Sequence, residues 1–146
     1  MSQQILDKDL YQASAGQNLR TARSLLDRGA NPNVAGFEYN SALQAAARRE
    51  SVELVQLLLD RGAQVDVQGG YHGSALIAAA QYGNLEIVKL LISAKANLNI
   101  CGRYGTALAV ARDKHNEDVV NVLLRAGATE RRPNTEGLDT HFGLRF

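Results

Sequence analysis

One cysteine, Cys101, is all the 146-residue chain has, so no disulfide framework can form within it, which fits a reducing compartment. Net charge is scarce as well. A formal +1 gives no global attraction to nucleic acid or to an anionic membrane, so nucleic acid is not expected as a partner and charge-driven binding must come from local clusters. Long apolar runs are missing: nothing reaches the roughly 18 apolar residues of a membrane span, and the opening "MSQQILDKDLYQ" lacks the apolar centre of a signal peptide. A cytoplasmic or nuclear location, with no membrane partner, is expected. Catalytic and metal motifs are absent too. His72, His115 and His141 show neither zinc-finger spacing nor a helical pair, so no metal is expected. In "GGYHG" (Gly69 to Gly73) no Gly-Lys-Ser/Thr follows, and the glycines read as a turn rather than a phosphate loop. Cys101 has no histidine near it in sequence and reads as a small packed thiol rather than a nucleophile. No cofactor is expected.

What the chain does have is a period. With 45% hydrophobic and 21% charged residues it has the composition of one folded domain, and "LLDRGA" occurs at Leu25 to Ala30 and again at Leu58 to Ala63. Ala30, Ala63 and Ala96 are 33 residues apart, and Ala128 follows after 32. A second marker keeps step: "SAL" at Ser41, "SAL" at Ser74 and "TAL" at Thr106. Two markers sharing one period indicate tandem structural units, the signature of a solenoid.

Each unit has the same internal order. Ser41 is placed to cap a short alanine-rich helix by accepting from a free first-turn amide. Ala45, Ala46 and Ala47 allow neighbouring helices to approach closely. In the second helix Val52, Val55, Leu58 and Leu59 fall at helical spacing and are expected to be its buried stripe, with Leu25, Leu58 and Leu91 as core. Gly29, Gly62 and Gly127 stop the second helices, because a left-handed residue closes the helix and glycine takes that conformation without steric cost. Between units, "NPNVAGFEYN", "QVDVQGGYHG" and "NLNICGRYG" read as turns.

Helix, turn, helix and extended turn in 33 residues, with "SAL", "LL" and "GA" in fixed places, resembles the ankyrin repeat. The resemblance implies an all-α solenoid of four helix-turn-helix units with projecting β-turn fingers. The units fall at about 1–34, 35–67, 68–100 and 101–132, and 133–146 reads as a degenerate half-unit or flexible tail. "GGYHGSAL…AAA" is similar to arrays common in fungi. Departures matter. The family's usual "TPLH" is "SALQ", "SALI" and "TALA" here, so the histidine that ties neighbouring turns is missing and the loops are expected to be less rigid. Lys95 stands where glycine should stop the third unit, at a cost of about 1 kcal/mol. The first and fourth units are atypical and read as capping units.

The resemblance further implies a non-catalytic protein-protein interaction module, since ligands of this family usually meet the finger tips and the exposed positions of the first helices. Those positions here are Phe37, Glu38, Tyr71, His72, Arg103 and Tyr104 on the fingers, and Arg48, Arg49, Gln81, Tyr82, Asp113 and Lys114 on the helices. The set is aromatic and basic, which suits an acidic or extended segment of another protein. Tyr39, Tyr71 and Tyr104 recur near one place in the repeat, as framework contacts do, whereas Tyr82, Arg48 and Arg49 do not. A competing reading makes the groove a small-molecule or catalytic pocket using Tyr71, His72, Tyr82, Arg103 or His115. Self-association, with the groove holding "HFGLRF" of another copy, is a further alternative.

Overall fold

A computed structural model describes residues 2–129, which hold eight α-helices. They are α1 (Gln3–Ala15), α2 (Leu19–Asp27), α3 (Ala42–Ala47), α4 (Val52–Asp60), α5 (Ala75–Gln81), α6 (Leu85–Ser93), α7 (Ala107–Asp113) and α8 (Glu117–Arg125). Consecutive helices pair, α1 with α2 through α7 with α8, and the pairs stack in chain order. The first helices (α1, α3, α5, α7) lie closer to one another than the second helices do, so the stack bends toward them. Alanine causes that closeness. Ala45, Ala46, Ala47, Ala78, Ala79 and Ala80 are all fully buried, and their small side chains let backbones approach.

The caps follow the sequence. Ser41, Ser74 and Thr106 each accept the backbone amide three residues on, and Gln44 completes a capping box on Ser41. Leu25, Leu58 and Leu91 are core. The stripe of α4 is different from the expected one: Leu54, Val55, Leu57 and Leu58 are buried, while Val52 is exposed and Leu59 only half-buried. Val52 stands in the first turn of a helix with more apolar residues than one face can bury, and the middle of the helix takes the core.

Lys95 does adopt the left-handed conformation of the missing glycine, with φ 71°. Its unit still closes like the others, Ala96 donating to the Leu91 carbonyl at 3.0 Å just as Ala63 donates to Leu58 at 2.9 Å. Beyond each second helix, one residue links unit to unit. Asn33 Oδ1 accepts from the Gln64 amide at 2.8 Å, Asp66 Oδ1 from Asn97 at 2.8 Å and Asn99 Oδ1 from Thr129 at 3.5 Å. At the opposite edge Gln17 accepts from the Ser51 amide, and Asn84 Nδ2 donates to the carbonyls of Ala47 and Arg49. These ladders satisfy loop backbone that would otherwise lack partners.

Three fingers project between the pairs, each closed by a single antiparallel bridge: Phe37 with Asn40, Gly69 with Gly73 and Gly102 with Gly105. The loss of the family's histidine does not untie the first two. Gln44, at that histidine's place, donates from Nε2 to the Gly69 carbonyl at 2.9 Å, and Asn40 Nδ2 donates to the Gln68 carbonyl at 3.0 Å. The second and third fingers instead close glycine on glycine, over the tip of Ile77. Unit boundaries after residue 129 and the tail at 133–146 lie outside the described residues.

Candidate functional site

The fingers bring an aromatic cluster to the face of the first helices. Tyr11 of α1 stacks on Phe37, with centroids 4.3 Å apart, and its hydroxyl accepts from the Tyr39 amide at 3.0 Å. Tyr39 lies parallel to His72, which meets Tyr71 and Tyr82 edge-on at 4.8 Å and 5.4 Å. Two guanidiniums cover the rings: Arg48 stands 4.0 Å from the Tyr39 centroid and Arg103 stands 5.0 Å from that of Tyr71. Each such contact contributes about 0.5–2 kcal/mol and holds a mobile side chain in one place.

Why these residues meet follows from register. Counting back from the caps Ser41, Ser74 and Thr106, the residue two before is Tyr39, His72 and Tyr104. His72 therefore takes the place of a tyrosine, and Tyr71 stands at the tip position shared with Glu38 and Arg103. Histidine in that place is buried, 6% exposed, and its Nε2 has no hydrogen-bond partner. Burial pushes its pKa below the ordinary 6.5, and the charges of Arg48 and Arg103 push it the same way, so the ring is neutral at pH 7.

The surface above this cluster is open. A cleft of about 260 Å³ is lined by Tyr71, Gln81, Tyr82, Tyr104, Val110, Asp113 and Lys114. A second, of about 670 Å³, is lined by Gln17, Arg48, Arg49, Glu50, Ser51, Tyr82 and Asn84. Tyr82 borders both.

A family model for ankyrin repeats (3 copies) matches residues 10–100 and 70–134. The chain belongs to the ankyrin repeat family. No curated protein matches it. Ankyrin repeats are in general protein-interaction modules and typically not enzymes. No helix among the described residues is long and apolar enough to cross a membrane.

Within this ankyrin array the candidate residues separate by position. Tyr71, Gln81, Tyr82, Tyr104, Asp113 and Lys114 share one cleft, and Arg48 and Arg49 the other. Arg103 leans on Tyr71, Glu38 is exposed and offers its carbonyl to the Tyr71 amide, and Phe37 is half-buried against Tyr11. His72 lies beneath the surface, not on it. His115 is exposed at the turn after α7, with φ 58°, and its ring makes no contact with the cluster. Cys101, expected to be packed, is exposed, because the finger turns it outward after the buried Ile100. Sequence reasoning overlooked Tyr11, Asn40 and Gln44. The signal for Gln44 was its place in "SALQ"; Tyr11 carried no local signal, since its partners are about 28 residues away.

Proposed function

We propose that this chain is a non-catalytic adaptor whose groove, formed by the fingers and the first helices, holds an extended, acidic segment of another protein. One observation carries it. Tyr71, Tyr82 and Tyr104, exposed by 44%, 53% and 60%, converge on one cleft, although exposed rings of this size are costly on a surface with no ligand. Tyrosine supplies large contact area, two rotatable bonds and a polar tip, which suits extended backbone. The cationic rim of Arg48, Arg49, Arg103 and Lys114 favours acidic side chains. A cytoplasmic or nuclear setting accords with the exposed Cys101.

Acid and base chemistry in the groove has less support, because the Nε2 of His72 is enclosed and His115 stands apart. Self-association, in which "HFGLRF" of another copy fills the groove, is a separate reading, since that segment has no acidic side chain. Dimer formation measured by light scattering distinguishes it.

The test is affinity capture from extracts with wild-type protein and with Tyr82→Ala/Tyr104→Ala, both first shown equally folded by circular dichroism. Proteins retained by the wild type and lost by the variant support the groove. Identical captures refute it.

A further inference from the structure

Tyr71, Tyr82 and Tyr104 line one cleft, yet among the described residues no two of these three rings stack or meet edge-on. Ring surface is therefore left for a ligand. Their hydroxyls and the side-chain amide of Gln81 have no hydrogen-bond partner among the described residues either. With the Lys114 ammonium these groups can all donate, and Asp113 is the one side chain of the lining that can only accept. The cleft thus presents aromatic rings with free donors at their tips.

That chemistry separates the ways in which a partner segment can be held. An added β-strand needs an open sheet edge, whereas the walls here are side chains of two fingers and of α5 and α7, and each finger carries one bridge, too little for an edge. An amphipathic helix needs an aliphatic groove. The exposed aliphatic side chains Ile5, Val52 and Leu124 do not line the cleft, and Val110, which does, is buried. A lone cation suits tyrosine faces, but Arg103 already stands over Tyr71 and Lys114 lies in the lining. A polyproline helix meets each condition. Its backbone has no internal hydrogen bonds, so its carbonyls take donors from outside. Proline has no N–H and asks for no acceptor in return. Its ring packs on aromatic side chains, and its fixed φ leaves less freedom to lose on binding.

We propose that the cleft of Tyr71, Tyr82 and Tyr104 takes a proline-containing stretch of the partner in the polyproline conformation, with Gln81 and the tyrosine hydroxyls donating to its carbonyls. This rests on the groove reading above and adds the residue type and backbone form of the segment. Because Tyr82 also borders the cleft of Arg48 and Arg49, the acidic side chains lie to that side of the prolines.

The test is selection of a random twelve-residue peptide display library on the wild-type protein, followed by affinity measurements on the enriched peptides. Enriched peptides are expected to share two prolines about one turn of the polyproline helix apart, beside one or more acids. Exchanging those prolines for alanine is expected to weaken binding about tenfold or more, since it frees the backbone and restores an N–H. That exchange leaves the protein untouched. On the protein side, Tyr82→Ala/Tyr104→Ala is expected to lose the proline peptides. Enriched peptides that lack prolines, or that tolerate the exchange, overturn this inference and leave the groove reading intact. Proline peptides bound equally well by the variant, or a selection that yields no binder, overturn both.

Discussion

His72 and Tyr39 lie with ring planes 10° apart and centroids 5.9 Å apart, one finger's histidine in register with its neighbour's tyrosine. The histidine replaces a ring that can donate one proton to solvent with a ring whose Nε2 is enclosed and unpaired. Its position under Tyr71 and Tyr82 makes it the floor of the groove.

That burial sets a pH dependence. The folded protein holds His72 below its ordinary pKa of 6.5, so the unfolded chain binds the proton first as pH falls. Stability contributed by the neutral ring is full above about pH 6.5 and declines below it, levelling once the folded ring also protonates. Melting temperature is expected to drop more between pH 7.5 and 5 in the wild type than in His72→Phe, which keeps the ring and removes the titration. Equal drops in both proteins would place the acid sensitivity elsewhere.

Gln44 joins Ser41 and Asn40 of its own finger to Gly69 of the next. Its Oε1 accepts from Ser41 and Asn40 Nδ2, and its Nε2 donates to Gly69. Gln44→Ala removes the acceptor of the buried Ser41 hydroxyl and the donor to the Gly69 carbonyl and is expected to cost about 2 kcal/mol in urea unfolding. Protease cleavage between the first two fingers should rise at the same time. A loss below about 0.5 kcal/mol would show that the hydrogen bonds from Asn40 to Gln68 and from Tyr71 to Glu38 suffice to hold the first two fingers together.

Lys95 is an exposed side chain in a left-handed stop. Lys95→Gly removes the strain without removing a contact, and a gain of about 1 kcal/mol in unfolding free energy is expected. No gain would mean that glycine's extra freedom in the unfolded chain offsets the relief.

Gly62 and Gly70 both have positive φ, but for different reasons. A Cβ at Gly62 meets nothing within 4 Å, whereas at Gly70 it would stand 2.8 Å from the Tyr39 carbonyl carbon and 2.9 Å from the Asn40 nitrogen. Gly62→Ala should therefore cost about 1 kcal/mol. Gly70→Ala should cost about 2 kcal/mol or more, because backbone must move, and it should weaken partner binding as well. Equal costs in thermal unfolding would remove the second effect.

The repeat, the caps and the glycine stops were legible because each is a local rule spaced by the period: Ser41, Ser74 and Thr106 cap, and Gly29, Gly62 and Gly127 close. The exposed groove residues followed from the family resemblance laid over that register. Three things were not legible for physical reasons. Val52 obeys the helical spacing of the stripe, but spacing cannot say which of several apolar residues the neighbouring helix reaches. Tyr39, Tyr71 and Tyr104 looked equivalent by eye, while counting from the caps puts His72, not Tyr71, in their row and explains its burial. The side-chain ladder of Asn33, Asp66 and Asn99 repeats in step with the markers, but turn composition alone hid that each accepts from the next unit's amide.

The most direct measurement is amide chemical-shift mapping of labelled protein titrated with a binding peptide selected on it from a random peptide-display library. Shifts confined to the three fingers and to α3, α5 and α7, strongest at Tyr71, Tyr82 and Tyr104, are the result expected of a groove-directed adaptor. Shifts centred on α2, α4, α6 and α8, with the tyrosines unmoved, would contradict it.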